Sequence, residues 1–361
     1  MRLDAIRQAD CALLHMERYV DEGAKNYSPF AARTEVAPQY RPRSDEPSFD
    51  LVTVNAPTDR VSIFQADPSK SLLEYYVRQH DVLFAVHPET WTAAGIEHLD
   101  ELRALPRDQP IRVAPTASTR TVLALEQAGD VPHHFIKLHY PRRISRFKRR
   151  LRRKNIHNSV AVTQDIAHVH FDGFAYLPDV LGFTFGDGDN SWGFLVREVI
   201  LRPFQGPTLL VPCFALYGGD LKYPGDPPLL VQMIEQLGAE PQSFVVDEIM
   251  IPVVESWAGI ARERGILLEP HAQNTLLEID QDFKPRRVVH RDFDVWIDSD
   301  TRRRAGLDVP FLGAGISSTE HSIEQHYSLV YDRFIGHELF DYLLGVIKRF
   351  YAVDEKSIVA A

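Results

Sequence analysis

The chain has 361 residues, 44% hydrophobic and 25% charged, with a formal net charge of −10 at pH 7. This is the balance of a soluble globular protein long enough for two lobes, and the acidic excess argues against a dedicated nucleic-acid binder unless the charge is locally segregated. No window reaches the roughly 20 apolar residues of a membrane span, the opening MRLDAIRQAD is not a signal peptide, and Cys11 and Cys213 make no disulfide framework or metal set, so the expectation is a cytoplasmic enzyme.

Residues 1–22 carry helical periodicity that ends at Gly23. The proline- and charge-rich YSPFAARTEVAPQYRPRSDEPSF then predicts an irregular connection. FDLVTVNAP and DVLFAVHP predict strands bounded by proline, with SKSLLEYYVRQH between them as a helix capped near Ser69 or Ser71. IRVAPTASTRTVLAL predicts strand, polar turn, strand. HHFIKLHY and SVAVTQDIA are strand-like and are separated by a very basic segment. From residue 190, WGFLVREVIL and PTLLVPCFALYG precede PLLVQMIEQLG and a long helical stretch over FVVDEIMIPVVESWAGIARERG. LLEPHAQNTLLEID predicts a strand, and RRVVHRDFDVWID its hairpin partner through IDQDFKPR. The last stretch, SIEQHYSLVYDRFIGHELFDYLLGVIKRFYAV, is apolar at helical spacing and predicts two helices. The sum is an α+β protein with antiparallel sheet and a helical C-terminal part.

Several polar groups stand out against this background. In a strand, Glu269, His271 and Gln273 would share one face and Asn274 the other. An acid, an imidazole and an amide on one face need a ligand, a metal or partners, because bare burial costs several kcal/mol. The plainer alternative is a polar outer face of an antiparallel sheet. The partner strand would bring Arg291, Asp292 and Asp294. HRD at 290–292 is tempting as a kinase catalytic loop, but Ile297 and Asp298 stand where that pattern needs asparagine, and no Gly-rich phosphate loop is present. Asp292 beside Glu269 suits Mg²⁺, which takes oxygen ligands and bridges to phosphate; the alternative is an ordinary surface aspartate.

In APTASTRTV, Ser118, Arg120 and Thr121 offer donors for phosphate oxygens, although Ser/Thr-rich turns are common without any ligand. KLHYPRRISRFKRRLRRK is a dense basic run. It could bind nucleic acid, form a solvated helix face, or turn some cations inward to hold an anionic substrate. Lys137 precedes the run on an apolar strand and is the cation best placed to enter a pocket. Tyr140 and Phe147 are too few for a base-stacking platform. His168 and His170 could share a strand face as a metal pair, but no third His or Cys lies nearby; His133 and His134 are a weaker pair.

Taken in order, these motifs resemble the siderophore synthetases that work independently of nonribosomal peptide synthetases, the IucA/IucC type. The matching pieces are Ser118-Thr119-Arg120-Thr121, Lys137-Leu138, Ile144-Ser145 with Arg149, Arg197-Glu198, Glu269-Pro270-His271-Ala272-Gln273-Asn274 and Arg291-Asp292. AVHPETW is also similar to the family's H-P-W-Q segment, with Glu89 in place of Trp. The resemblance covers roughly residues 80 to 340. It implies a palm-and-fingers architecture, with a reduced N-terminal region and fingers-like nucleotide lobe over 1–160 and a palm-like lobe over 161–361.

The resemblance also implies a reaction. ATP would adenylate a carboxylate of citrate or a related acid, and an amine or alcohol would displace AMP. Ser118, Thr119, Arg120, Thr121, Lys137 and Arg197 would hold ATP, with Lys137, Arg197 and His271 in catalytic roles. Ser145, Arg149, His271, Gln273 and Asn274 would bind the carboxylate substrate, and Glu269 and Asp292 would carry Mg²⁺. Partners would be small acids, amines and alcohols, with no nucleic acid and no membrane, and a homodimer is an assembly this family often forms. Against the family pattern, no G-H-P-x-H-P stretch is present and only Lys25 resembles the end of that segment, while Ser145 stands where threonine is usual. Two other readings stay open: an ATP-dependent phosphotransferase on the same scaffold, and a non-catalytic polycarboxylate- or siderophore-binding paralogue.

Overall fold

A computed structural model describes residues 2–8, 11–20, 35–125, 131–144, 147–313 and 322–353. The first strands are β1 (Phe49–Pro57), β2 (Val61–Gln65), β3 (Asp81–Val86), β4 (Ile111–Pro115), β5 (Thr121–Ala124) and β6 (His134–Leu138). A short hairpin, β7 (Arg143–Ile144) and β8 (Phe147–Lys148), follows, and then β9 (Phe174–Tyr176), β10 (Asp179–Phe185) and β11 (Trp192–Glu198). The last strands are β12 (Leu209–Pro212), β13 (Ile266–Leu267), β14 (Thr275–Ile279), β15 (Pro285–His290) and β16 (Trp296–Ile297).

Eight strands form one antiparallel sheet in the order β2-β10-β11-β6-β5-β4-β1-β3. It curls until Phe84 of β3 meets Phe185, Trp192 and Phe194 of β10 and β11. β10 and β11 are buried along their whole length, which explains their almost unbroken apolar sequence. They pair with β2 and β6, so the sheet takes strands from both sides of residue 160. The helix Arg153–Ile166 packs on β10, where a Cβ at Gly182 would sit 2.5 Å from Ile156. Only glycine permits that approach.

A second sheet, β12-β14-β15-β9, carries the predicted β14–β15 hairpin, with β9 joining β15 in parallel. Leu123 and Phe135 of the large sheet pack with Ala175, Leu177, Leu276 and Val289, joining the two sheets through one apolar layer. The helices from Leu229 onward and the C-terminal helices bury the other side of the small sheet in the largest core cluster. The architecture is mixed α+β with antiparallel sheets and a helical C-terminal part, as the sequence predicts. No helix among the described residues is long and apolar enough to cross a membrane.

Three expectations need correction. SVAVTQDIA is not a strand but the second half of the helix Arg153–Ile166, whose apolar stripe at Ile156, Val160 and Ile166 packs inward and overrides the β preference of its valines. The C-terminal stretch is helical without a break from Ile323 to Tyr351, through a π-helical segment Val330–Phe340, rather than two separate helices. The segment carrying Glu269, His271 and Gln273 is not a strand: β14 begins only at Thr275. Pro270 brings no N–H, and the next residues fold into a turn in which Asn274 N and Thr275 N donate to His271 O at 2.9 and 3.0 Å. The shared-face argument for Glu269, His271 and Gln273 therefore fails, and a turn presents them instead.

Candidate active site

The turn between β4 and β5 is held by its own polar groups. Thr119 N donates to Thr116 O at 3.0 Å, and Thr121 N donates to Ser118 Oγ at 2.9 Å. Thr119 sits at φ +65°, a left-handed position costly for a β-branched residue. The strain turns the chain so that Arg120 points inward, buried, with its Nη1 donating to Arg149 O at 3.2 Å. Burial and the neighbouring Arg149 guanidinium push Arg120 down to about 10.

Beside this turn the register of the large sheet sets out two more cations. Lys137 of β6 lies opposite Thr121 on one side and Leu195 on the other, and Arg197 lies opposite Phe135. Opposed residues share a face in an antiparallel pair, so Thr121, Lys137 and Arg197 project to the same side. Arg197 is fully engaged with Asp179 through two bonds, Nε–Oδ1 at 2.8 Å and Nη2–Oδ2 at 3.2 Å. Burial pushes the Asp179 carboxyl up, against the pull of Arg197. A bidentate, buried pair of this kind fixes the guanidinium plane.

The small sheet supplies the acids. Asp292 follows β15 in a left-handed conformation, φ +69°. Its carboxylate forms an ion pair with Lys137, a lysine only 2% exposed. Burial would raise the Asp292 carboxyl, but Lys137, Arg197 and Arg120 together hold it well below the usual carboxylate range. Glu269 shows the opposite balance. Burial, Asp294 and Asp292 push it up to about 8, only partly offset by Arg149 and Lys137. Asp294 is itself held by Asn155 Nδ2, at 3.1 and 3.2 Å, at the start of the helix Arg153–Ile166.

His271 is buried, and its Nδ1 accepts from Gln273 N at 3.2 Å. Its ring lies 5.8 Å from Phe334 of the π-helical segment. Burial lowers it to about 3, with Arg149, Arg291 and Arg333 acting in the same sense against Asp292. The imidazole is therefore neutral at physiological pH, and with Nδ1 accepting, Nε2 carries the proton. Arg291 Nε donates to Gln273 O at 2.8 Å, and Arg291 N donates to Asn274 O at 3.0 Å, so the turn is stapled to the residue before Asp292.

Arg120, Lys137, Arg149, Arg197, Glu269, His271 and Asp292 thus come from six separate stretches of chain into one electrostatically coupled group. Ser118, Thr119 and Thr121 frame it through the β4–β5 turn, and Gln273 and Asn274 through the 271–274 turn. Ser145 and Lys25 lie outside the described residues. His168 and His170 are exposed. Among the described residues no three His, Cys, Asp or Glu side chains are grouped to hold a metal ion. Mg²⁺ commonly takes only one or two carboxylates and completes its shell with water and phosphate. Glu269, whose carboxyl is raised by burial first and then by Asp294 and Asp292, offers an oxygen ligand that such a cation would ionise.

Two residues escaped the sequence reading. Asp179 opens an apolar strand in register with Arg197, but nothing in the local sequence tells a partner from an ordinary strand start. Glu17 had a visible signal: it lies four residues after Leu13 on the buried stripe of the helix Ala12–Tyr19, an acid where an apolar residue belongs.

No protein-family model matches the chain, and no curated protein matches it in sequence. Solved structures do. The petrobactin biosynthesis protein AsbB of Bacillus anthracis superposes with a TM-score of 0.68 at 15% identity over 96% of this chain and 67% of its own. The ATP-bound aerobactin synthetase IucA of Klebsiella pneumoniae superposes with a TM-score of 0.70 at 15% identity, over 99% of this chain and 71% of its own. The aerobactin synthetase IucC of the same organism gives 0.63 at 16% identity, over 89% and 62%. The fold is therefore that of the siderophore synthetases the motifs resemble, and the chain spans between 62% and 71% of the length of these structures.

Proposed function

We propose that the chain is an ATP- and Mg²⁺-dependent ligase that joins a small carboxylic acid, such as citrate, to an amine or alcohol in siderophore or related natural-product biosynthesis. The observation that carries this reading is the convergence of Arg120, Lys137, Arg149 and Arg197 on Glu269, His271 and Asp292, with no activated side-chain nucleophile among them. Such an inventory suits nucleotidyl transfer, where positioning and cation clamps do most of the chemistry. The ATP bound to the IucA structure on the same fold supports it.

In this reading a substrate carboxylate oxygen attacks the α-phosphorus and pyrophosphate leaves. The amine or alcohol then attacks the acyl carbon and AMP leaves. Arg120 and Lys137 stabilise the charge that builds on the phosphate oxygens. Arg197, locked by Asp179, attracts the Asp292 carboxylate and so keeps it ionised beside Lys137. Glu269 and Asp292 would hold Mg²⁺, which would supply positive charge to offset that of the phosphates. Neutral His271 offers an Nε2–H to the substrate carboxylate, and Arg149 pairs with it. Gln273 and Asn274 set the shape of that subsite.

Pyrophosphate release and hydroxylamine trapping over a panel of carboxylic acids test the reading. Acid-dependent pyrophosphate with AMP as the nucleotide product supports it. ADP as product would replace it with phosphoryl transfer, and ATP binding without turnover with any acid would replace it with a binding protein.

A further inference from the structure

Glu17 is 1% exposed and comes from the helix Ala12–Tyr19, far in sequence from every other site residue. Its Oε1 meets Arg291 Nη2 at 2.5 Å, and its Oε2 accepts from Ala117 N at 3.2 Å. Ala117 opens the strained turn that carries Ser118 to Thr121. Arg291, 7% exposed on its side chain, holds the 271–274 turn through Gln273 O and Asn274 O and immediately precedes Asp292. One carboxylate therefore touches both halves of the site: the turn expected to hold phosphate, and the turn and hairpin end expected to hold acid substrate and metal.

We propose that Glu17 is a positioning residue that locks these two turns to each other, so that the phosphate-binding and carboxylate-binding halves of the site are set at one fixed separation. The proposal rests on the ligase reading above. Adenylation needs the acid oxygen within about 3–3.5 Å of phosphorus, so a small drift between the halves costs rate far out of proportion to its size. A buried acid on an otherwise apolar helix stripe is expensive. Here its cost is offset by one ion pair and one backbone bond, and both lead into the site rather than into the surrounding core.

The test is hydrogen–deuterium exchange and steady-state kinetics on Glu17→Gln and Arg291→Lys in the full chain. Glu17→Gln removes the charge that holds Arg291, and its amide cannot serve both partners: with the oxygen on Ala117 N, the NH2 donor is turned against the Arg291 guanidinium. Exchange is expected to rise in peptides spanning 114–124 and 268–280 while the β10–β11 peptides stay unchanged. The rate kcat should fall at least about tenfold, with KM for ATP changed less than about threefold. Arg291→Lys keeps the charge but loses the Nε bond to Gln273 O, so exchange should rise in 268–280 alone. Exchange that rises throughout the core, stays flat in either peptide of Glu17→Gln, or leaves kcat at the wild-type value overturns the proposal. A wild-type protein with no acid-dependent pyrophosphate release would refute the ligase reading instead, while the exchange pattern would still decide whether Glu17 couples the two turns.

Discussion

Lys137 and Asp292 meet across the gap between two sheets, and the Asp292 carboxylate is held ionised by Lys137 and by the nearby Arg197 and Arg120. Removing Lys137 leaves the half-buried Asp292 carboxylate without its ion-pair partner and takes away the cation proposed to face the phosphates. Loss of one preorganised donor of this kind commonly costs about 10²–10³ in rate. Lys137→Met is therefore expected to lower kcat for pyrophosphate release by about that factor; a variant within threefold of wild type would remove Lys137 from the clamp. Glu269 makes a pH-dependent prediction. Its carboxyl, raised from 4.5 to about 8 by burial and then by Asp294 and Asp292, is protonated at neutral pH in the metal-free protein. A folded state that binds more protons than the unfolded chain loses stability as pH rises, here between 4.5 and about 8. Metal needs the ionised form. Apparent Mg²⁺ affinity, read by calorimetry with a non-hydrolysable ATP analogue, should therefore rise with pH up to about 8. In Glu269→Gln affinity should be weak and flat with pH.

At the scale of elements, strands bounded by proline or by tight turns were legible, because their apolar runs are short and their ends are marked: β1, β3, β4, β5 and β6 fall where the sequence places them, and the β14–β15 hairpin forms as expected but over the shorter strands Thr275–Ile279 and Pro285–His290. The helix Arg153–Ile166 is not legible, because its start lies within the basic run and its second half is rich in β-branched residues that favour a strand. The turn at 271–274 was hidden for another reason. Its bonds run from Gln273 N to the His271 side chain and from two N–H groups to His271 O, and alternation alone cannot reveal them. The motif residues still converge, since a turn and a strand end can bring side chains into the same coupled group. Arg18, beside Glu17 on the first long helix, shows a different use of a buried ion. Its guanidinium donates to the carbonyls of Pro42, Ser44, Glu46 and Pro47 at 2.8 to 3.0 Å and fastens the segment before β1. Arg18→Met strands those acceptors. It should cost about 2–4 kcal/mol in urea unfolding with kcat of the folded protein retained; an unchanged unfolding midpoint would show that the segment is held by other contacts.

For the whole molecule, the dominant response to acid should come from histidines buried in a neutral state. Burial lowers His87, His271 and His290 to about 3 and His134 and His139 to about 4, from an ordinary 6.5. They are spread over both cores: His134 bonds Tyr76 at 2.7 Å in the large sheet, and His290 bonds Ser256 at 2.8 Å against the small one. A depressed histidine means that the unfolded chain binds more protons, so its contribution is complete above pH 6.5 and is lost as pH falls toward 4. The raised carboxyls of Glu269, Asp179 and Glu338 act in the opposite sense in part of this window, three groups against five. At pH 5 each histidine accounts for roughly 2 kcal/mol if about 1.4 kcal/mol per pKa unit applies, and even half of that sum rivals a total stability of about 5–15 kcal/mol. Thermal midpoints followed by circular dichroism should therefore fall steeply between pH 6.5 and 4.5, with cooperative acid unfolding above about pH 4. Replacing His290 by Gln should shift that acid midpoint downward after correction for the variant's own stability at pH 7.5. A thermal midpoint that stays flat from pH 7 to 4.5 would mean that these imidazoles find proton acceptors on folding, and that the interior tolerates charge far better than its apolar packing implies.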